Sequence, residues 1–486
     1  MMPLSLVFIF GIPAALTVLG LFVRTSRPLG IAHNAGYLSV LCAAGILFKE
    51  VLFQGPCVVR DFLYVDVLSA FFILVTAVIS FAASLYSTGY VKKDTGEGVI
   101  SEQKARVYYT LFNLFCFSMF FCPALNNLGL LWVAVEMTTL VSAFLVGFYN
   151  KKESVEAAWK YIIICSVGII FALLGTILFA YAYSLTGAKT LAWTDMMALA
   201  QGLDPRVLKI AFIFILVGYG TKAGLAPMHT WLPDAHSQAV APISALLSGV
   251  LLKTAFYAIL RFGMILIKAG ELAYFSHLMM FFGLISLVIS CGFILVQKDV
   301  KRLLAYSSIE HIGLVAVSFG LATPLAFAAG LFHVFNHAVT KAFMFFGAGN
   351  IVHAYKKRNM NSIKGVMRLL PFTGVMTLLG VFALGGFPPF SVFASEFLVL
   401  AAAFANGSYA VGGCLLLFLG LVFAAFLHHF AKMLYGHLPK GAQAQGEPLS
   451  GKAAFIFLFI LMLAAGAAFA FVKEDALWIT KKLFQI

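Results

Sequence analysis

The chain has 486 residues, 62% hydrophobic and 11% charged, and its 33 Lys and Arg against 19 Asp and Glu give a formal net charge of +14. Soluble domains carry about 25% charged residues, so an ordinary soluble enzyme is excluded and an all-α, polytopic membrane fold is expected. The seven cysteines, Cys42, Cys57, Cys116, Cys122, Cys165, Cys291 and Cys414, are scattered without a C-x-x-C, which predicts no iron–sulfur, zinc or disulfide framework and no redox site, cofactor or metal in this chain.

In chain order, apolar runs predict about fourteen membrane-spanning helices, at 4–23, 30–49, 65–90, 108–125, 127–149, 158–184, 208–226, 240–268, 273–297, 301–322, 325–354, 366–406, 409–434 and 452–471. A run of about 18 or more residues crosses about 30 Å of hydrocarbon. The first run lacks a basic leading segment and a small-residue cleavage site, so it reads as a retained span. Between the second and third, EVLFQGP at Glu50–Pro56 matches a commonly engineered viral protease site; its place between two spans favours a chance match.

Basic residues concentrate in alternate loops: Arg24/Arg27, Lys92/Lys93/Lys104/Arg106, Lys151/Lys152, Lys298/Lys301/Arg302, Lys356/Lys357/Arg358/Lys364 and Lys432/Lys440/Lys452. The opposite loops hold mainly Lys49, Arg60, Lys189, Arg206, Lys209 and Lys268. The positive-inside rule makes the first set cytoplasmic, and an even helix count puts both termini outside. The positive charge is therefore a topology signal, and nucleic acid is not an expected partner.

Two spans are interrupted. AGLAPMHTWLPDAHSQAVAPIS follows Lys222 with Pro227, Pro233 and Pro242, and LGGFPPFSVFASEF precedes Glu396 with Gly385, Gly386, Pro388 and Pro389. Proline removes a backbone donor and clashes with the preceding turn, and irregular backbone at membrane depth survives only where protein or a wet cavity satisfies it. Paired breaks in the two halves point to inverted repeats with ion sites at the breaks; purely structural kinks are the alternative.

Four charged side chains fall inside apolar runs: Glu136 in LLWVAVEMTTLVSAFL, Lys222 in LVGYGTKAGLAPM, Lys253 in SALLSGVLLKTAFYAIL and Glu396 in PFSVFASEFLVLAAA. An ionised group at mid-depth costs roughly 2.5 to 17 kcal/mol, so each must be paired, hydrated or used. Lys222 and Lys253 are the expected partners of Glu136. Snorkelling to the headgroups is the bland reading of a membrane lysine, and Lys253, with about ten apolar or small residues on either side, fits it poorly. The GYGTKAG stretch around Lys222 lacks the G-x-x-x-x-G-K-[ST] spacing and a preceding strand, so it is not a nucleotide loop.

The run LFHVFNHAVTKAFMFF sets His333, His337 and Lys341 at i, i+4 and i+8, stacked on one helix face. Residue 334 is Val, so this is not an H-E-x-x-H zinc site, and a hydrated proton relay fits better. His311, beside Glu310 in AYSSIEHIGLV, extends that relay or packs as an inert histidine. His229, Asp234 and His236 decorate the first break as a proton entrance or as helix-end caps. Asp66, at the start of a span, fits a cap or an interfacial contact.

Taken in order, VEM at Glu136, the TKAGLAPMHTWLPDAHSQAVAPISALLSG block, LLK at Lys253, AYSSIEHIG, HxxxHxxxK and FPPFSVFASEF resemble the antiporter-like proton-translocating subunits of respiratory complex I and its relatives. Those relatives include group 4 membrane-bound nickel–iron hydrogenases and multi-subunit Na+/H+ antiporters. Within that family, Glu310-His311 and FPPFSVFASEF are most similar to component F of the hydrogenase-4 type. The resemblance implies fourteen helices with two inverted five-helix repeats: an N-terminal three-helix segment at 1–107, repeats at 108–270 and 271–435, and a C-terminal helix at 436–486. It places Glu136, Lys222, Lys253 and Glu396 on a central ionisable axis, with His311, His333, His337 and Lys341 linking them. The chain ends soon after the fourteenth span, so the long lateral helix of the distal complex I subunit is not expected.

That resemblance implies a proton-translocating subunit of a redox-driven complex in a bacterial or archaeal cytoplasmic membrane. Its partners are other membrane subunits and, through them, a peripheral redox arm. In the implied cycle, Glu136 holds protonated Lys222, separation of the pair frees the proton, and it passes through Lys253 and the histidine stripe to Glu396. Moving one charge against 100 mV costs about 2.3 kcal/mol, within reach of a change in one buried pair. A Na+/H+ exchange module and a transport-inactive anchor are the other readings.

Overall fold

Hydrocarbon offers no partner to a backbone N–H or C=O, so spanning segments must bond internally. The computed structural model, which describes residues 2–23, 25–187, 190–438 and 444–484, with 469–479 and 481–483 as backbone only, meets this demand with helices almost throughout. Arg24, Lys189 and Lys440, counted above among the loop charges, lie outside the described residues.

The first third comprises α1 (Leu4–Phe22), α2 (Ser26–Gln54), a hairpin of β1 (Cys57–Val59) and β2 (Leu63–Val65), and α3 (Val67–Gly96). Next come α4 (Glu102–Phe121), α5 (Leu128–Val146), α6 (Lys152–Ser184), the short α7 (Trp193–Ala198) and α8 (Pro205–Ala223). The first break leads to α9 (Trp231–Gln238) and α10 (Ala241–Leu246), which passes through a π-helical turn at Leu247–Leu251 into α11 (Leu252–Lys268). The second half holds α12 (Leu272–Val296), α13 (Val300–Gly320), α14 (Pro324–Tyr355), α15 (Val366–Leu369), α16 (Pro371–Leu384), α17 (Ser391–Ala405), α18 (Tyr409–Leu434) and α19 (Leu449–Phe484).

Both expected breaks are present: residues 224–230 separate α8 from α9, and 385–390 separate α16 from α17. Among the described residues eleven helices are long and apolar enough to cross a membrane, fewer than the fourteen expected. The three remaining runs are α8, α14 and the α16–α17 pair, the segments that carry Lys222, the histidine–lysine stripe and the second break. Their polarity or interruption is what removes them from a purely apolar count.

Two other expectations change. EVLFQGP is not a free loop: Glu50–Gln54 is the last turn of α2, Val51 is buried, and Glu50 accepts from the Ser5 hydroxyl at 3.2 Å. The final helix does not stop near 471 but continues to Phe484, whose ring packs 4.8 Å from Phe327 and 5.7 Å from Phe319. Lys and Glu are good helix formers, so the charged stretch after the apolar run extends the helix.

The loops group by charge. At one end His353 meets Asp94 at 2.8 Å, Lys356 meets Glu97 at 2.6 Å, Arg302 meets Asp234 at 2.9 Å and Arg358 meets Asp299 at 3.7 Å. At the other end the hairpin and the α4–α5 and α6–α7 connections join through Asn126, which accepts from Thr194 N at 3.2 Å and whose own N–H donates to Phe62 O at 3.0 Å.

Ala241–Lys268 and Val300–Gly320 are enclosed by protein along their apolar windows, whereas α1, α6, α12 and α18 turn Phe22, Ile163, Val288 and Leu417 outward. The helices that carry polar groups are thus the central ones. Small residues bring α6 and α8 together: a Cβ on Gly168 would stand 2.6 Å from Thr221 Cβ, closer than real contacts allow. This close approach sets Lys222 against α5 and α6.

Candidate functional site

Lys222 lies in the last turn of α8, wholly buried. Its Nζ donates to Thr139 Oγ1 at 2.6 Å and to the Tyr161 hydroxyl at 2.7 Å. Thr139 in turn donates to Glu136 Oε2 at 3.0 Å, and Ser166 donates to Glu136 Oε1 at 2.9 Å. No direct ion pair joins Glu136 to Lys222 among the described residues, because Thr139, one turn along α5, occupies the space between them. Tyr161 is within 2.7 Å of Ser142 Oγ, which itself donates to Thr138 O at 2.6 Å. The lysine therefore feeds two hydroxyl chains, only one of which ends on a carboxylate.

Lys253 sits just after the π-helical turn, 1% exposed. A π turn shifts the bonding step from i−4 to i−5, and such turns recur at functional sites. Here the Leu252 N–H bonds to Leu247 O, and the Lys253 ammonium donates to Ser248 O. Ser248 Oγ lies 2.7 Å from Ser308 Oγ, Ser308 donates to Leu304 O at 3.1 Å, and Lys341 Nζ donates to the same carbonyl at 2.7 Å and to Ser307 Oγ. Two buried lysines on different helices are thus joined through α13.

The histidines of α13 and α14 lie together. His311 Nδ1 is 2.9 Å from His333 Nε2, His333 Nδ1 is 2.9 Å from Ser395 Oγ, and the His337 ring stacks 4.6 Å from His311. Asn336 donates to Ser391 O at 2.8 Å and to Ser395 Oγ at 3.1 Å, tying α14 to α17. One turn of helix separates His333 from His337, and among the described residues His337 has no hydrogen-bond partner for either ring nitrogen. Glu396, in the second turn of α17, lies against the backbone of Gly386 at the break, where φ is +68° and a Cβ would meet the carboxylate.

The residues around the first break do not gather into one site. Asp234 is partly exposed and paired with Lys160 at 3.5 Å and Arg302 at 2.9 Å. His229 lies against Tyr306, with ring centroids 6.4 Å apart. His236 is fully buried, stacked 5.2 Å from Phe345, with neither ring nitrogen bonded among the described residues, and within electrostatic reach of Lys253, Lys301 and Lys341. Asp66 caps α3, accepting from Ser69 N at 2.9 Å, and also forms a bidentate pair with Arg261 at 2.6 and 2.7 Å.

Sequence reasoning gave no relay role to the hydroxyls of Thr139, Tyr161, Ser248, Ser308 and Ser395, and Glu310 entered it only beside His311 and through the resemblance to component F. Glu310 is 1% exposed, with neither carboxylate oxygen hydrogen-bonded among the described residues. A carboxylate in the span AYSSIEHIGLV was the available signal.

A helical bundle with two broken members and ionisable side chains held in its interior defines a polytopic membrane protein of the ion-transport type. The family model described as "NADH:quinone oxidoreductase/Mrp antiporter, TM" matches residues 125–424, and that of "NADH-Ubiquinone oxidoreductase (complex I), chain 5 N-terminus" matches residues 62–98. A hydrogenase-4 component F homolog of Methylacidiphilum infernorum is 39% identical over 434 residues, 88% of this chain and 89% of that protein. Among solved structures, a subunit of the archaeal membrane-bound sulfane sulfur reductase superposes with TM-score 0.87 at 23% identity, covering 99% of this chain and 97% of that one. A subunit of the Mrp complex from Dietzia sp. DQ12-45-1b gives 0.86 at 20% identity, covering 99% and 98%. The chain belongs to the NADH:quinone oxidoreductase/Mrp antiporter transmembrane family.

Proposed function

We propose that this chain is the proton-translocating membrane subunit of a complex I-like redox-driven pump, with a membrane-bound hydrogenase as its parent assembly. The carrying observation is the buried polar line across the bundle. It runs Glu136–Thr139–Lys222, then Lys253–Ser248–Ser308–Leu304–Lys341, then His333–His311 beside Glu396. The 39% identical hydrogenase-4 component F homolog supports the parent assembly.

In this reading, Lys222 takes up a proton while Glu136, reached through Thr139, balances its charge. Loss of that support releases the proton towards Lys253, water spanning the interval between the two lysines. Lys341, His337, His333 and His311 carry it on, and Glu396 delivers it at the second break. His229 and His236 mark the entrance to the route, with His236 on the side of Lys253 and Lys341, and Asp234 holds α9 in place through its ion pairs.

Residues 108–270 and 271–435 form the two repeats, between the helices of 1–107 and the segment 436–486. Each repeat has its break in its fourth helix, and Lys222 and Glu396 occupy those broken helices. The end that carries Lys92, Lys151, Lys298 and Lys356 faces the cytoplasm, both termini face outward, and the membrane is the bacterial or archaeal inner membrane. Other membrane subunits flank the chain and couple it to a peripheral redox arm.

The complex in vesicles, followed with a pH dye and a sodium probe, tests this. Proton movement abolished by a protonophore, without sodium uptake, is the expected result; sodium uptake insensitive to protonophore contradicts it.

A further inference from the structure

Three acceptor groups face one another in the second half with no donor among them. Glu310 and His311 lie on α13 and Glu396 on α17, and one ligating atom of each lies within 4.8 Å of the other two. Among the described residues neither Glu310 oxygen is hydrogen-bonded, nor is His311 Nε2, and Glu310 Oε2 stands 3.4 Å from that nitrogen. The hydrogen-bond series beside these groups assigns the tautomer. Ser395 Oγ donates to Val392 O at 2.9 Å, so it accepts from His333 Nδ1, and His333 Nε2 accepts from His311 Nδ1. His311 Nε2 is left as a lone pair directed towards two carboxylates.

Two ionised carboxylates left unpaired at this depth would cost several kcal/mol each; a proton on each carboxyl or one cation among the three groups removes that cost. A proton shared with an anionic oxygen draws its heavy atoms to about 2.5–2.7 Å, and no such contact joins these residues. Ligand bonds of about 2.0–2.2 Å around one ion set neighbouring ligand atoms roughly 3.3 Å apart, close to the 3.4 Å of Glu310 and His311.

We propose that Glu310, His311 and Glu396 form a binding site for one divalent transition-metal ion of the zinc class. Imidazole with carboxylate suits such ions, whereas sodium, magnesium and calcium favour oxygen alone. Two carboxylates neutralise the dication, and His333 holds the second ring nitrogen of His311 as an outer-shell partner. The bound ion ties α13 to α17 across the second break. It also occupies lone pairs that the proposed proton route uses; that consequence rests on the route, whereas binding does not.

The test is zinc binding by the intact complex in detergent, stripped with chelator and titrated against a chromophoric competitor, with zinc X-ray absorption on the same samples. Wild type is expected to hold one more zinc than Glu310→Gln or Glu396→Gln, each of which weakens that site at least tenfold. Glu310→Asp, which keeps a carboxylate, retains the zinc more weakly and separates lost ligation from lost fold. His428→Ala/His429→Ala, which removes the outer histidine pair, leaves the site intact. Equal zinc stoichiometry and affinity in wild type and Glu310→Gln, or a differential absorption spectrum without a nitrogen ligand, overturns the proposal. Because binding is read without transport, a failure of the proton route leaves this result standing.

Discussion

Lys222 and Glu136 do not touch: the Thr139 hydroxyl stands between them, accepting from the ammonium at 2.6 Å and donating to the carboxylate at 3.0 Å. Opposite charges roughly 5 Å apart attract by about 3 kcal/mol at an effective dielectric of about 20. That is close to the roughly 2.3 kcal/mol needed to move one charge against 100 mV. A contact pair would hold its proton more firmly, so a one-hydroxyl spacing suits a site that must both load and release.

Thr139→Val removes that hydroxyl at nearly constant shape. Proton transport in vesicles is expected to fall at least tenfold with assembly retained, whereas Thr139→Ser stays within about twofold of wild type. Equal rates in the valine variant and wild type would remove Thr139 from the relay.

The Ser248–Ser308 contact is the only hydroxyl step joining the Lys253 and Lys341 neighbourhoods among the described residues. A single Ser→Ala there forfeits about 1 kcal/mol of hydrogen bonding, a small stability change. Transport in Ser308→Ala is expected to slow several-fold, with the detergent melting temperature nearly unchanged. A lower melting temperature at an unchanged rate would make the contact structural.

Gly386 combines φ of +68° with an open α-carbon against the Glu396 carboxylate. Gly386→Ala meets about 1–2 kcal/mol of backbone strain and also displaces the glutamate. Transport is expected to drop sharply, whereas Gly420→Ala, where a Cβ meets nothing within 4 Å, leaves it unchanged. Similar rates in the two variants would contradict this role for the break.

The Asp66–Arg261 pair is buried and bidentate, and Arg261 also donates to Ser69 Oγ and Tyr257 OH, each at 2.7 Å. Removing one partner of such a pair costs about 3–5 kcal/mol. Asp66→Asn is therefore expected to lower the melting temperature markedly, while Glu97→Gln, at a half-exposed loop pair worth at most about 1 kcal/mol, barely moves it. Equal effects would contradict the burial argument.

The breaks and the intramembrane charges were legible in the sequence because each is local: a proline pair or one charge in an apolar run announces itself. The His333–His337–Lys341 stripe was legible through helical periodicity. The connecting hydroxyls were not, since serine and threonine are common in such helices and gain meaning only where two helices cross. Asp66 was read as a cap or an interfacial contact and is a cap; Arg261 stands inside an apolar run, but its pairing with Asp66 across 195 residues leaves no local signature. Glu310 was visible yet passed over, because its significance comes from Glu396 on another helix.

The central claim, that protons cross through Lys222 under the control of Glu136, is tested most directly by proton uptake into vesicles carrying the complex with Glu136→Gln or Lys222→Met. The account predicts intact assembly and redox turnover with proton movement reduced at least tenfold in both variants. Wild-type proton movement in both would contradict it.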